Sequence, residues 1–148
     1  MAKPRRGRRG RVGGTLVLDA GGLVKLAKGH PLAVSLARDS QLADAEVVTS
    51  ASTLAEVLRG GAKDAPVHRV LSRITVVPIG PEVGRTAGEL LGRTGLSGHR
   101  CALDALLATV ALAQPRPVIV LTSDATDMRR LTEEPSRSRS ERIEVARI

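Results

Sequence analysis

Apolar residues in this chain gather into short runs separated by longer, mixed stretches. The most pronounced run is Val118-Ile119-Val120-Leu121, four apolar residues without alternation, three of them β-branched. A strand reads this way when both its faces are buried, as in a parallel sheet. Leu16-Val17-Leu18 repeats the pattern near the start. The stretches 46–49 and 74–79 predict two further strands, and 143–148, alternating apolar with polar, predicts an edge strand.

Between them the spacing predicts helices. One covers 23–28 and closes at Gly29, and a second opens at Pro31 and runs to about Asp44. A third is capped by Ser50 or Ser52 and ends at Gly60-Gly61. Asp64 and Pro66 open a fourth, to about Arg73. Others are expected over 81–93, 101–113 and 125–134, with a Gly-rich loop at 94–100 and a Ser/Arg loop at 135–142. Gly13-Gly14 reads as a hinge before the first strand. Strands alternating with helices argue for an α/β domain with a mainly parallel central sheet flanked by helices.

Composition narrows the function classes. Phe, Tyr and Trp are absent, so the core must be built from Leu, Val, Ile and Ala, and no aromatic platform exists on which bases could stack. The single cysteine, Cys101, excludes an internal disulfide and suits a reducing, cytoplasmic setting. No apolar run approaches the roughly 18 residues of a membrane span. The net charge is +8, but residues 1–11 hold six cations and no acid, which leaves 17 of the 23 cations against all 15 acids. The basic character therefore resides mainly in a tail, residues 1–13, ahead of a folded unit at 14–148. A Gly/Arg run of this kind is expected to be disordered and to meet phosphates without sequence preference.

Three aspartates stand in unusual places. Asp19 follows the first buried strand, and Asp124 follows Thr122-Ser123 at the end of the 118–121 run. Ligands of open parallel α/β sheets bind at the carboxyl ends of the strands. Asp104 lies in a helix where, from Cys101 to Ala113, only it and Thr109 are polar. A carboxylate there is costly unless paired, capping or bound to metal. Each aspartate alone reads equally as a helix cap. All three together are harder to explain so.

Glu56 lies opposite Leu54, Val57 and Leu58 on its helix, and so faces solvent or a cleft. The histidines lack metal-ligand spacing, and neither a Walker loop nor a nucleophile elbow is present. Catalysis, if any, falls to oxygen ligands of the kind that hold Mg²⁺ or Mn²⁺.

The ordered set of motifs resembles the PIN-domain nucleases, most closely the VapC-type toxins of bacterial toxin–antitoxin pairs. The motifs are Leu18-Asp19, Glu56 in Thr53-Leu54-Ala55-Glu56-Val57, Asp104 in Leu103-Asp104-Ala105-Leu106-Leu107-Ala108, and Thr122-Ser123-Asp124. The resemblance implies a Rossmann-like PIN fold with an acidic metal pocket. Asp19, Asp104 and Asp124 would be metal-binding aspartates, and Glu56 would contact metal directly or through water. Thr122 would be the hydroxyl residue of the last motif, and Asp127 a further acidic position. The implied activity is Mg²⁺- or Mn²⁺-dependent endoribonucleolytic cleavage of RNA leaving a 3′-hydroxyl and a 5′-phosphate. A small antitoxin would block the site, and homodimers are common. Many relatives carry Ser or Thr two residues after the first aspartate, where this chain has Gly21. An inactive RNA-binding module of the same fold is the alternative. A phospho-acceptor signalling domain also places acids at strand ends, but it needs a lysine after a late strand, and none follows 118–121.

Overall fold

The computed structural model describes residues 13–148, so the basic tail lies outside the described residues apart from Gly13. Five strands form one parallel sheet: β1 (Thr15–Leu18), β2 (Glu46–Ser50), β3 (Thr75–Val77), β4 (Val118–Thr122) and β5 (Glu144–Arg147). Their order is β3-β2-β1-β4-β5, with every neighbouring pair parallel. The two unbroken apolar runs, β1 and β4, are central neighbours, with Leu16 opposite Ile119 and Leu18 opposite Leu121. The alternating 144–147 strand is at an edge, where one side needs no partner.

Successive residues of these strands feed two cores. Val17, Val48, Val118 and Val120 point to one face. There they meet α5 (Pro81–Thr94), α6 (Gly98–Leu112) and α7 (Ala125–Leu131) through residues such as Leu90, Ala108 and Met128. Leu16, Leu18, Val47 and Leu121 point to the other face. They pack on Leu23 of α1 (Ala20–Ala27), Ala33 of α2 (Pro31–Leu42) and Val67 of α4 (Ala65–Leu71). Burial on both faces is what removed the alternation from β1 and β4. At roughly 1.5–3 kcal/mol per fully buried Leu or Val, these positions supply much of the driving force for folding.

Several boundaries differ from the sequence reading. α3 (Ala51–Val57), capped by Ser50, stops three residues short of Gly60. The reason is Asp64, which accepts the backbone N–H groups of Arg59 and Gly60 at 2.8 and 2.7 Å and ties that segment into a loop. These bonds hold the Asp64 carboxyl below its ordinary range. β3 keeps only its middle residues, Thr75–Val77. Gly13 and Gly14 are packed, not a hinge: a Cβ on Gly13 would lie 1.7 Å from the Ala43 carbonyl oxygen, and one on Gly14 2.3 Å from that of Pro117. The Gly-rich loop is also shorter than expected. Gly95, in the left-handed region at φ 68°, closes α5, and Ser97 already caps α6 by accepting the Arg100 N–H.

Candidate active site

The start of α6 at Gly98 decides the role of Asp104. The cap is Ser97, and Asp104 lies more than a full turn inside the helix, so it caps nothing. Its carboxyl is pushed up to about 6, first by burial and then by Asp19, Asp124 and Asp127. The carboxylates predicted from separate parts of the chain thus feel one another at the carboxyl end of the sheet. Glu56, on α3, is also raised, by burial, then by Asp104, then by Asp19. Its side chain is exposed, and its coupling to Asp104 and Asp19 is what ties it to this end of the sheet.

Asp19 and Asp124 do cap helices, and this does not compete with a place in the cluster. Asp19 caps α1, its Oδ1 accepting the Gly22 N–H at 2.7 Å. Its Oδ2 accepts the Thr122 hydroxyl at 2.5 Å and the Ser123 N–H at 3.2 Å. Thr122 is fully buried, and its oxygen in turn accepts the Asp124 N–H at 3.0 Å. Asp124 caps α7 by accepting the Asp127 N–H. One hydroxyl therefore joins the acid that ends β1 to the acid that follows β4, and neighbouring parallel strands bring them side by side.

Three contributors were not foreseen. Gly22 and Ser123 donate backbone N–H groups to Asp19. The thiol of Cys101 lies 3.7 Å from Asp127 Oδ2, and burial followed by that carboxylate pushes the thiol's pKa up. Gly22 is the donor that a capping Asp19 takes three residues on, whereas Ser123 and Cys101 had no local signal, their partners lying 104 and 26 residues away. Gly21 also has a structural reason. A Cβ there would come within 2.6 Å of the Ser123 Oγ and 2.7 Å of its Cβ. Asp19 has donors enough without a hydroxyl at position 21.

The PIN domain family model matches residues 16–134, the whole span from β1 past α7. The chain belongs to the PIN domain family. Two solved structures share the fold of this PIN domain. One is VapBC2 from Rickettsia felis bound to a DNA fragment from its promoter, with a TM-score of 0.62, 17% identity, and 89% of this chain and 98% of that chain covered. The other is DNA-bound VapBC from Salmonella typhimurium, with a TM-score of 0.59, 20% identity, and 88% and 97% covered. No curated protein matches the chain.

The carboxylates here offer hard oxygen donors, which would suit Mg²⁺ or Mn²⁺ rather than softer metals. Among the described residues no three His, Cys, Asp or Glu side chains already form a metal-holding group. The chemistry nevertheless fits a cation, because Asp104 is a half-buried acid whose near neighbours are acids. No helix among the described residues is long and apolar enough to cross a membrane.

Proposed function

We propose that this PIN domain is a Mg²⁺- or Mn²⁺-dependent endoribonuclease of the VapC toxin type, held in check by a small antitoxin. The observation that supports it most is Asp104. It is an acid in a helix interior, with no capping role, raised to about 6 by burial and by three other carboxylates. Such an arrangement costs stability and persists where a site needs it.

Asp19, Asp104 and Asp124 would hold the cation. When bound, it would supply the positive charge that activates a water and stabilises the phosphoryl oxygens of the RNA. The chain's own residues do the rest. Thr122 fixes the Asp19 carboxylate through its hydroxyl. Glu56, raised above the ordinary range and open to solvent, is suited to take a proton from the attacking water. Asp127, anchored by the Cys101 thiol, adds a further negative group at the rim. Water attack at phosphorus with departure of the 3′ oxygen leaves a 3′-hydroxyl and a 5′-phosphate. The antitoxin is supported by the fold neighbours, both of which are VapBC complexes.

The test is cleavage of structured RNA in Mn²⁺ and in excess chelator by wild type, Asp19→Asn and Asp124→Asn, with folding followed by circular dichroism. The mutants should stay folded and lose cleavage, and the chelator should silence the wild type. Equal cleavage by all three would sink the nuclease reading and leave an RNA-binding module.

A further inference from the structure

Helix α7 carries opposite charges at its two ends. Asp124 caps it and Asp127 lies in its first turn, whereas Arg129 and Arg130 occupy its last turn and are exposed. Arg142, on the segment leading into β5, stands across a concavity of about 220 Å³ from Arg129, with Ile143 and Val145 in its wall. A second concavity, of about 320 Å³, lies between Arg130 and Arg93.

The guanidinium groups are held by backbone carbonyls. Arg130 donates to Thr94 O at 2.6 Å, Arg129 to Val145 O at 3.5 Å, and Arg142 to Arg137 O and Pro135 O at 3.0 and 3.2 Å. Carbonyls orient a guanidinium without neutralising it. The nearby acids are largely taken. Glu134 pairs with Arg116 and Arg137, both at 2.6 Å, and Glu141 accepts the Ser138 hydroxyl. Among the described residues Arg129, Arg130 and Arg142 pair with no carboxylate, although Glu133 lines both concavities.

We propose that Arg129, Arg130 and Arg142 form a phosphate track for single-stranded RNA that leads away from the carboxylate cluster, along α7 toward the amino end of β5. The proposal rests on the ribonuclease reading for what the strand is doing there. An α-helix rises about 1.5 Å per residue, so Arg130 stands about 9 Å along α7 from Asp124. Guanidinium groups held by carbonyls and paired with no carboxylate match phosphate oxygens. With no aromatic residue anywhere in the chain, affinity for a single strand must come from such contacts. Cations in a last turn also favour the helix dipole, a role that needs no ligand. The two roles differ in their dependence on salt.

The test uses the full chain and a fluorescently labelled oligouridylate in excess chelator, with affinity followed by anisotropy across a salt series. Each arginine that meets a phosphate contributes about 0.7 to the slope of log affinity against log salt for a single strand. Arg129→Gln/Arg142→Gln and Arg130→Gln should lower the slope by about that amount per contact, and lysine at the same positions should restore it. Arg38→Gln and Arg69→Gln, on the helices of the other face, should leave it alone. An unchanged slope in the track variants overturns the proposal even if the protein cleaves RNA, as does a wild type that binds no RNA at low salt. Arginine-dependent capture of polyglutamate with an unchanged RNA slope also overturns it and assigns the surface to an acidic protein. Track-dependent binding by a protein that never cleaves in Mn²⁺ upholds the track and removes the ribonuclease reading instead.

Discussion

The side chain of Ser123 fills the space that a Cβ on Gly21 would need, 2.6 Å from its Oγ and 2.7 Å from its Cβ. The glycine after Asp19 is thus a consequence of the serine before Asp124, across the seam between β1 and β4. Gly21→Ala should cost about 1–3 kcal/mol, the usual range for overpacking. Ser123→Gly in the same chain should recover most of it. Gly22→Ala should cost more and gain nothing from Ser123→Gly, because its Cβ would meet the Leu121 carbonyl oxygen at 2.7 Å. Thermal melts of wild type, Gly21→Ala, Ser123→Gly and the double variant form a double-mutant cycle, and additive effects of the two substitutions would show that the two side chains do not compete.

Thr122 serves Asp19 and Asp124 together. Thr122→Val keeps the shape but leaves the Asp19 carboxylate without a hydroxyl donor and the Asp124 N–H without an acceptor. Leaving buried polar groups unpaired costs about 1–3 kcal/mol. The melting temperature should fall and cleavage should drop sharply, while Thr122→Ser keeps both. A valine variant that cleaves like wild type would deny the hydroxyl any part in shaping the site.

The pH dependence follows from the raised acids. Asp104 titrates at about 6 in the folded protein, against an ordinary 3.8. The folded state therefore holds this proton more tightly than the unfolded chain does. The stabilisation is fully present below about pH 4, the unfolded value, and is lost as pH rises through about 6. Asp104→Asn escapes that loss, so its melting temperature relative to wild type should climb between pH 4 and pH 7.5 without metal. A constant difference across that window would mean that the charge on Asp104 is not strained.

A cation should relieve the same strain. A ligand that binds only the native state stabilises by about 2.7 kcal/mol at a hundredfold excess over its dissociation constant. For a domain of this size that is roughly 5–10 °C. Millimolar Mn²⁺ at pH 7.5 should raise the wild-type melting temperature by this order, and Asp104→Asn should lose most of the rise. Absence of any rise in wild type would count against converging metal ligands. Cleavage at fixed Mn²⁺ should increase with pH up to about 6 as Asp104 ionises. Higher Mn²⁺ should move the midpoint down, since cation and proton compete for the same oxygens.

Much of this was legible in the chain because burial on two faces writes itself into β1 and β4 as unbroken apolar runs. The acids at the ends of those runs were legible for the same reason. Asp104 stands out as a lone acid in an apolar helix, but Gly98, His99 and Arg100 read as loop because two of them are poor helix formers, so the cap at Ser97 and the depth of Asp104 in the helix show only in the structure. Gly60-Gly61 looks like the stop signal of α3, whereas the Asp64 carboxylate ends the helix earlier. The contacts of Ser123 with Gly21 and of Cys101 with Asp127 exist only once strands and helices are assembled, and nothing in local spacing encodes them.

The seam between β1 and β4 has a further consequence for synthesis. Asp19 leaves the ribosome 103 residues ahead of its hydroxyl partner Thr122, and ahead of its fellow acid Asp124 as well. Until β4 inserts beside β1, the first strand has β2 on one side and an open edge on the other. No nascent or truncated product ending before Val118 can assemble the carboxylate cluster. The site proposed for cleavage is therefore absent until β4 has been made and has found β1.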